Sequence, residues 1–479
     1  MRKLLTERVR CIHFVGIGGA GMSGLAEVVA SLGYAVQGSD RFPSQATRHL
    51  ESLGVKVFRG HNASQVAGSD LVVRSSAIPS DNTELKAARA ARLPVVSRAD
   101  VLAELMRQRD GIAVSGTHGK TTTAHLIVEM LDCAGEDPTY VVGGQVRNAM
   151  RSKLGAGDCL VAEADESDAS FLHLQPVVAV VTNIDDDHLV AYGGHLDRLR
   201  QAFVEFAHNL PFYGLFLACA DDPGVVSILP RVQRRIRTYG FSHRADYRIV
   251  KLRAEGLWSS MEVSLPGGER TVFTVNLPGR HNALNALAVI ALGDELGIDM
   301  KFVRQALAEC RPLRRRFELL GDIRTPGGRI TLVDDYAHHP SELAATLQAA
   351  RNAWPGRRVV VAFQPHRYTR TRDLLDDLAA VLSTADRVVV TEIYPAGETP
   401  ISGADGRAIC RAMRARGSAE PVFIADVRGI AAALRNIVTE GDLVLTLGAG
   451  DIGAEAAKLP ARLRGPTIAG GIKQKESLP

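Results

Sequence analysis

The sequence predicts an α/β protein of three successive units, and three observations carry that expectation. Short apolar segments alternate with stretches of helical spacing along almost the whole chain, the pattern of parallel strands covered by helices. Two glycine-rich turns, at 16–21 and 116–119, each follow an apolar segment and precede a helical one. The 479 residues suit three domains at about 150 residues each.

The first unit, 1–107, reads as a strand at 11–15, a glycine turn, a helix at 22–32, and strands at 35–38, 55–58, 71–75 and 94–96. This is a doubly wound, Rossmann-like order. The second, 108–313, opens with a strand at 111–114, a loop and a helix at 124–131. Buried-strand candidates follow at 159–164 and 177–182, then a β-rich insertion at 238–275 with alternating character. The third, 314–479, begins at the basic cluster Arg311, Arg314, Arg315 and Arg316. Its strands are expected at 330–334, 358–363, 387–392, 422–425 and 443–447, with a helix at 341–353, again Rossmann-like. The tail beyond 463 is expected to be disordered.

Composition narrows the functional classes. Hydrophobic residues make up 46% and charged residues 23%, as in ordinary globular enzymes. A net charge of +4, without basic runs interleaved with aromatics, argues against nucleic acid. No apolar stretch approaches the ~20 residues that cross a bilayer, and charged residues interrupt the start before any signal-peptide core forms. The six cysteines lack any Cys-x-x-Cys spacing, so neither zinc nor a disulfide framework is expected. A cytoplasmic protein, monomeric or weakly dimeric, fits.

The chemistry concentrates at the ends of the apolar strands. Val114-Ser115-Gly116-Thr117-His118-Gly119-Lys120-Thr121-Thr122-Thr123 has the parts of a nucleotide phosphate loop. Backbone N–H groups from Gly116 to Thr122 and a positive helix end face the polyphosphate. Lys120 reaches the terminal phosphates, and the Thr121 hydroxyl sits on magnesium. The loop is a shortened variant, because Val114 stands where the general pattern has its first glycine. Gly16-Ile17-Gly18-Gly19-Ala20-Gly21, with Asp40 at the end of the next strand, resembles a dinucleotide fingerprint. A nicotinamide dehydrogenase would explain that loop alone and would leave the second loop without purpose. A sugar nucleotide also carries a pyrophosphate, so Gly16, Gly18, Gly19, Gly21 and Asp40 are assigned to a UDP-sugar, with hydroxyl contacts from Ser75 and Ser76.

Two acidic runs, Glu163-Ala164-Asp165-Glu166-Ser167-Asp168 and Asn183-Ile184-Asp185-Asp186-Asp187-His188, each follow an apolar strand. In a parallel sheet such strand ends share one edge, so the acids are expected beside the phosphate loop. Glu163 and His188 are chosen as magnesium ligands, and Glu166 and Ser167 are assigned to the sugar nucleotide. Farther on, Asn282 and Asn285 lie three residues apart on one helix face and can read an adenine edge or hold phosphate-bound water. Asp334-Asp335-Tyr336-Ala337-His338-His339-Pro340 and Gln364-Pro365-His366-Arg367-Tyr368-Thr369-Arg370 again follow apolar strands. Arg367 and Arg370 can clamp a carboxylate.

Together, from His13-Phe14-Val15-Gly16 to Gly448-Ala449-Gly450-Asp451, these stretches resemble the Mur ligase family of bacterial cell-wall synthesis. The resemblance implies an ATP-dependent ligase whose first domain holds UDP-N-acetylmuramate, whose second binds ATP and Mg2+, and whose third brings L-alanine. It implies that Lys120 is the phosphate-binding lysine, that Thr121 and Glu163 hold one magnesium, and that His188 holds the second. His281, Asn282, Asn285, Arg316 and Asp335 match the family's nucleotide-contacting positions; Tyr336, His338, Arg367 and Arg370 match its amino-acid pocket. His338 is either the base for the amine or an anchor for the carboxylate. The sequence departs from several later ligases of the family in having no lysine between 189 and 206 for carbamylation. Rival readings are a ligase that attaches a preformed murein tripeptide to the same sugar nucleotide, and a catalytically silent nucleotide-binding protein.

Overall fold

The computed structural model describes residues 9–75, 77–143, 152–187, 189–417 and 420–464. Two of the expected site residues, Ser76 and His188, and, from 465 on, the tail expected to be disordered beyond 463 lie outside the described residues. Two compact units are present, one comprising 1–253 with 258–313 and the other 314–479 with 254–257.

The first unit holds two sheets. Strands β1 Cys11–Val15, β2 Ala35–Asp40, β3 Lys56–Arg59, β4 Leu71–Arg74 and β5 Val95–Ser97 form a parallel sheet in the order β3-β2-β1-β4-β5. The second sheet has ten strands: β6 Asp110–Ser115, β7 Thr139–Val141, β8 Ser152–Lys153, β9 Cys159–Glu163, β10 Val178–Val181, β11 Leu215–Cys219, β12 Arg235–Gly240, β13 Tyr247–Glu255, β14 Trp258–Ser264 and β15 Arg270–Val275. Its order is β15-β14-β13-β12-β11-β10-β6-β9-β7-β8. The β-rich segment expected at 238–275 is therefore present and continues the central sheet outward through the parallel β12–β13 pair to the antiparallel β14–β15 pair.

Strand alternation builds two cores from the central sheet. Ile112 and Val114 of β6 and Val178 and Val180 of β10 pack with Leu126, Ile127, Leu287 and Ile290. Ala113, Ala179 and Val181 face the other way, into a core that continues through Phe171, Phe203 and Phe206 to Ile12, Phe14 and Leu25 of the first sheet. That shared apolar layer is why the first two sheets form one unit.

The second unit has six strands, β16 Glu318–Thr325, β17 Gly328–Asp335, β18 Val359–Phe363, β19 Arg387–Thr391, β20 Val422–Ile424 and β21 Leu443–Leu447, in the order β16-β17-β21-β18-β19-β20. All pairs are parallel except the edge pair β16–β17. Valines and leucines buried on both faces give β18, β19 and β21 the near-continuous apolar character of central parallel strands. No helix of the described residues is long and apolar enough to cross a membrane, and all six cysteines are free.

Candidate active site

The phosphate loop lies at the C-terminal end of β6, between β9 and β10. Parallel pairing sets Glu163 opposite Val114 and Val181 opposite Ser115, so both acidic runs leave the sheet beside the loop, as the strand-end argument requires. The loop turns on two glycines with positive φ, Gly116 at 127° and Gly119 at 83°. Gly119 then opens the helix Lys120–Cys133. Neighbouring strands hold the loop: Asn183 Oδ1 accepts from His118 N at 2.7 Å, Asn183 Nδ2 donates back to His118 O at 3.0 Å, and Thr182 Oγ1 donates to the same oxygen at 2.6 Å. Thr117 Oγ1 accepts from Asp185 N at 2.9 Å, so this hydroxyl supports the loop. His118 Nε2 lies 3.3 Å from Asp185 Oδ2.

A Cβ at Gly116 would run into Thr182 Oγ1 and lie 2.8 Å from Asn183 O, at a φ that L-residues avoid. Gly116→Ala is therefore expected to destabilise the protein by about 1–3 kcal/mol. An unchanged denaturant midpoint would contradict this account of the loop.

Lys120 Nζ donates to Glu166 Oε2 at 2.7 Å and to the loop carbonyls of Gly116 and Thr117 at 2.6 and 3.3 Å. Burial opposes its charge, but the carboxylates of Glu166, Asp165 and Glu163 outweigh burial and hold its pKa above the ordinary lysine value. Glu166, assigned from sequence to the sugar nucleotide, has a side chain only 1% exposed that pairs with Lys120. Ser167 is half-buried beside it, with its N–H on Asp165 Oδ1 at 3.0 Å. Thr121 Oγ1 donates to Glu163 Oε2 at 3.0 Å. This hydroxyl and carboxylate, side by side at the loop, are the hard oxygen donors that suit magnesium. Thr122 is buried in the first turn of the same helix.

Asn282 and Asn285 come from the buried first turns of the helix Arg280–Glu295. Asn285 Nδ2 donates to Asn282 Oδ1 at 3.3 Å. Asn285 Oδ1 would lie 2.7 Å from a Cβ on Gly119, so glycine there lets the Asn pair rest directly on the phosphate loop. His281 is the second residue of the helix, half-exposed.

The first glycine turn is held from the neighbouring strand. Gly16 N and Ile17 N both donate to Ser39 O, at 2.8 and 2.9 Å, and Gly18 N donates to Asp40 Oδ2 at 2.8 Å. One oxygen of Asp40 thus supports the turn itself. Gly19 precedes the helix Ala20–Ser31 without a side-chain cap. Ser75 Oγ accepts from Ala77 N at 3.3 Å, a local turn contact. Behind this turn lies a buried set that sequence reading missed: Ser39 Oγ and His61 Nδ1 meet Glu84 Oε2 at 2.5 and 2.9 Å, and His13 Nε2 lies 3.3 Å from Glu84 Oε1.

In the second unit the expected residues gather at the C-terminal ends of β17 and β18. Tyr336 packs edge-on to His338 at 5.4 Å, His338 lies 5.5 Å from His366, and His366 stacks on Tyr394 at 5.5 Å. Arg370 Nη1 is 3.4 Å from His366 Nδ1. His338 Nδ1 faces two acceptors, Tyr336 O at 3.0 Å and Glu342 Oε2 at 3.3 Å. Nδ1 therefore carries a proton. Arg367 adopts φ 71°, and its N–H donates to Tyr394 O at 2.9 Å. Arg316 lies over the Tyr336 ring at 5.1 Å. Asp335, expected on the nucleotide, spends both oxygens on backbone, accepting from Phe317 N at 2.6 Å and Ala337 N at 2.7 Å. Its burial pushes the carboxyl pKa up to about 6.

With this geometry, the chain matches three family models in succession: the Mur ligase family catalytic domain at 11–110, the Mur ligase middle domain at 114–293, and the Mur ligase glutamate ligase domain at 315–450. A UDP-N-acetylmuramate–L-alanine ligase of Methylococcus capsulatus is 53% identical over 458 residues, covering 95% of this chain and 97% of the relative. The chain belongs to the Mur ligase family. Among solved structures, a UDP-N-acetylmuramate–alanine ligase from Thermotoga maritima aligns with TM-score 0.80 at 33% identity, covering 94% of this chain and 98% of that one. A murein peptide ligase from Psychrobacter arcticus aligns with TM-score 0.70 at 26% identity, covering 95% and 98%. In this Mur ligase, Thr182, Asn183, His366 and Tyr394 join the sites although no role was assigned to them from sequence. Their only signal was position: Thr182 ends and Asn183 follows the strand expected at 177–182, and His366 lies three residues beyond the strand expected at 358–363.

Proposed function

We propose that this chain joins L-alanine to the lactyl carboxylate of UDP-N-acetylmuramate at the expense of ATP, giving ADP and phosphate, in cytoplasmic peptidoglycan precursor synthesis. The identity of 53% to an L-alanine ligase, across nearly the full length of both chains, is the observation that carries this reading. The phosphate loop supports the ATP half, with Thr121 hydrogen-bonded to Glu163 and Lys120 held at the loop by Glu166. Residues 1–107 would hold the sugar nucleotide, 108–313 ATP and 314–479 the amino acid.

A carboxylate is a poor electrophile with no usable leaving group, and phosphorylation supplies one. The lactyl carboxylate attacks the γ-phosphorus of ATP and ADP departs, leaving an acyl phosphate. The alanine amine then attacks the acyl carbon, inorganic phosphate leaves, and one amine proton is lost. Lys120 stabilises charge on the transferring phosphoryl group by position and electrostatics. Magnesium, held at Thr121 and Glu163 and, from sequence, His188, would supply further neutralisation of the phosphates. His338 would either take the amine proton or anchor the alanine carboxylate. Tyr336, Arg367 and Arg370 would hold the amino acid, and Asn282, Asn285, His281 and Arg316 the nucleotide. Asp335 would act through the backbone it braces.

ADP release measured with UDP-N-acetylmuramate plus L-alanine tests the reading. Release only with a murein tripeptide would transfer the chain to the peptide-ligase class; nicotinamide binding without ATP turnover would overturn the ligase altogether. Arg367→Lys is expected to raise the KM for L-alanine about tenfold or more, because a lysine cannot make the bidentate contact to a carboxylate. An unchanged alanine saturation curve would remove Arg367 from the pocket.

A further inference from the structure

Arg98 stands outside every role described so far. It is the first residue of the helix Arg98–Met106 and directly follows β5, at the strand edge where the first glycine turn also lies. Its backbone is fixed from two sides. Ser97 and Asp100 form a reciprocal cap, Ser97 N donating to Asp100 Oδ2 at 2.8 Å and Asp100 N to Ser97 Oγ at 3.2 Å. The other oxygen of Asp100 meets His173 Nδ1 at 2.6 Å, which ties this helix start to the segment following the Glu163–Asp168 run.

The side chain reaches across to the first glycine turn. A Cβ built on Gly21 would lie 3.1 Å from Arg98 Cδ, 3.2 Å from Nε and 3.3 Å from Cζ. Glycine at 21 thus makes room for the guanidinium stem, a different reason from backbone approach to a ligand. Arg98 is half-buried, and its guanidinium makes no hydrogen bond or ion pair with any described residue. A half-buried cation without a partner costs free energy unless a ligand supplies the counter-charge. The nearby helix Ala20–Ser31 has no acidic residue in its first turn to take that part. On its far side Arg98 acts on Asp165: burial opposes that carboxylate's charge, but Lys120, the N–H and hydroxyl of Ser167, and Arg98 together lower its pKa. Arg98 therefore stands between the first turn and the run that carries the Lys120 partner.

We propose that Arg98 binds the pyrophosphate of the sugar nucleotide, closing the first anion cradle on the side that faces the Glu163–Asp168 run. A planar guanidinium offers two parallel donors to phosphate oxygens, and here it adds to the N-terminal end of a helix, a setting that already favours an anion. Gly21 and Arg98 then form one device: the missing Cβ places the cation beside the helix end. This inference rests on the sugar-nucleotide reading of the first turn.

Calorimetric titration of the full chain with UDP, with UDP-N-acetylmuramate and with ADP tests it, in wild type, Arg98→Ala and Arg98→Lys. The expected result is a loss of UDP affinity of about tenfold or more in R98A, a smaller loss in R98K, and unchanged ADP affinity at the phosphate loop. UDP affinity in R98A within twofold of wild type overturns the proposal, even if UDP-N-acetylmuramate weakens, because the guanidinium would then meet the carboxylate rather than the pyrophosphate. An equal loss for ADP overturns it as well, since that marks a general disturbance of the unit. Should R98A fail to fold, R98K carries the same comparison. Wild-type protein that binds ADP but no UDP overturns the sugar-nucleotide reading of the turn, and Arg98's role with it.

Discussion

Replacing Lys120 with methionine lowers the rate of ADP release by on the order of 100-fold or more, the scale of losing a single charge-stabilising donor in a preorganised site. The ammonium is held at the loop by Glu166 Oε2 at 2.7 Å and by the Gly116 carbonyl at 2.6 Å. Methionine keeps much of the length and apolar stem and removes only the charge and the donors. Because the charge acts on the phosphoryl group in transit, the loss should appear chiefly in kcat, with the KM for L-alanine little changed. Steady-state kinetics with each substrate varied in turn measures this. A kcat within tenfold of wild type would show that Lys120 is a structural partner of Glu166 and no more.

Glu166→Ala is expected to destabilise the first unit by about 3–5 kcal/mol, the cost of removing one partner from a buried ion pair and leaving the other uncompensated. The pair is buried unequally, with Glu166 1% and Lys120 15% exposed. Part of the cost can therefore be relieved if Lys120 turns toward water, which places the expected value at the lower end of that range. Chemical denaturation followed through the first unit gives the number. In the double variant with Lys120→Met the charge is gone, so the penalty of Glu166→Ala should largely vanish. Additive penalties in that cycle would show that the two side chains are not coupled.

Much of this architecture is legible from hydrophobic patterning alone. The strands expected at 11–15 and 443–447 are found with those bounds, because runs buried on both faces are mostly apolar even where a His13 or Thr446 interrupts them. The helix after the phosphate loop is found four residues earlier than its apolar spacing suggests, at Lys120 rather than 124. Its first turn is built of Lys and Thr for phosphate chemistry, and periodicity cannot register a turn whose side chains serve a ligand. Strand β16 was not anticipated, since as an exposed edge it carries Asp322 and Arg324 and a bulge between Leu319 and Gly321. Edge strands are half in water and lose the apolar signature.

The sequence by itself determined which residues stand at strand ends, and in parallel sheets that is enough to collect Lys120, Thr121 and Glu163 at one loop. Partner choice among them was decided only in three dimensions. Glu166 turns to Lys120, Asp335 to the backbone of Phe317 and Ala337, and Arg98 to the space left by Gly21. The physical reason is that strand order and pairing register, set by burial over tens of residues, decide which strand ends become neighbours. Over the few ångströms between two such ends, hydrogen-bond geometry and desolvation then select the partner.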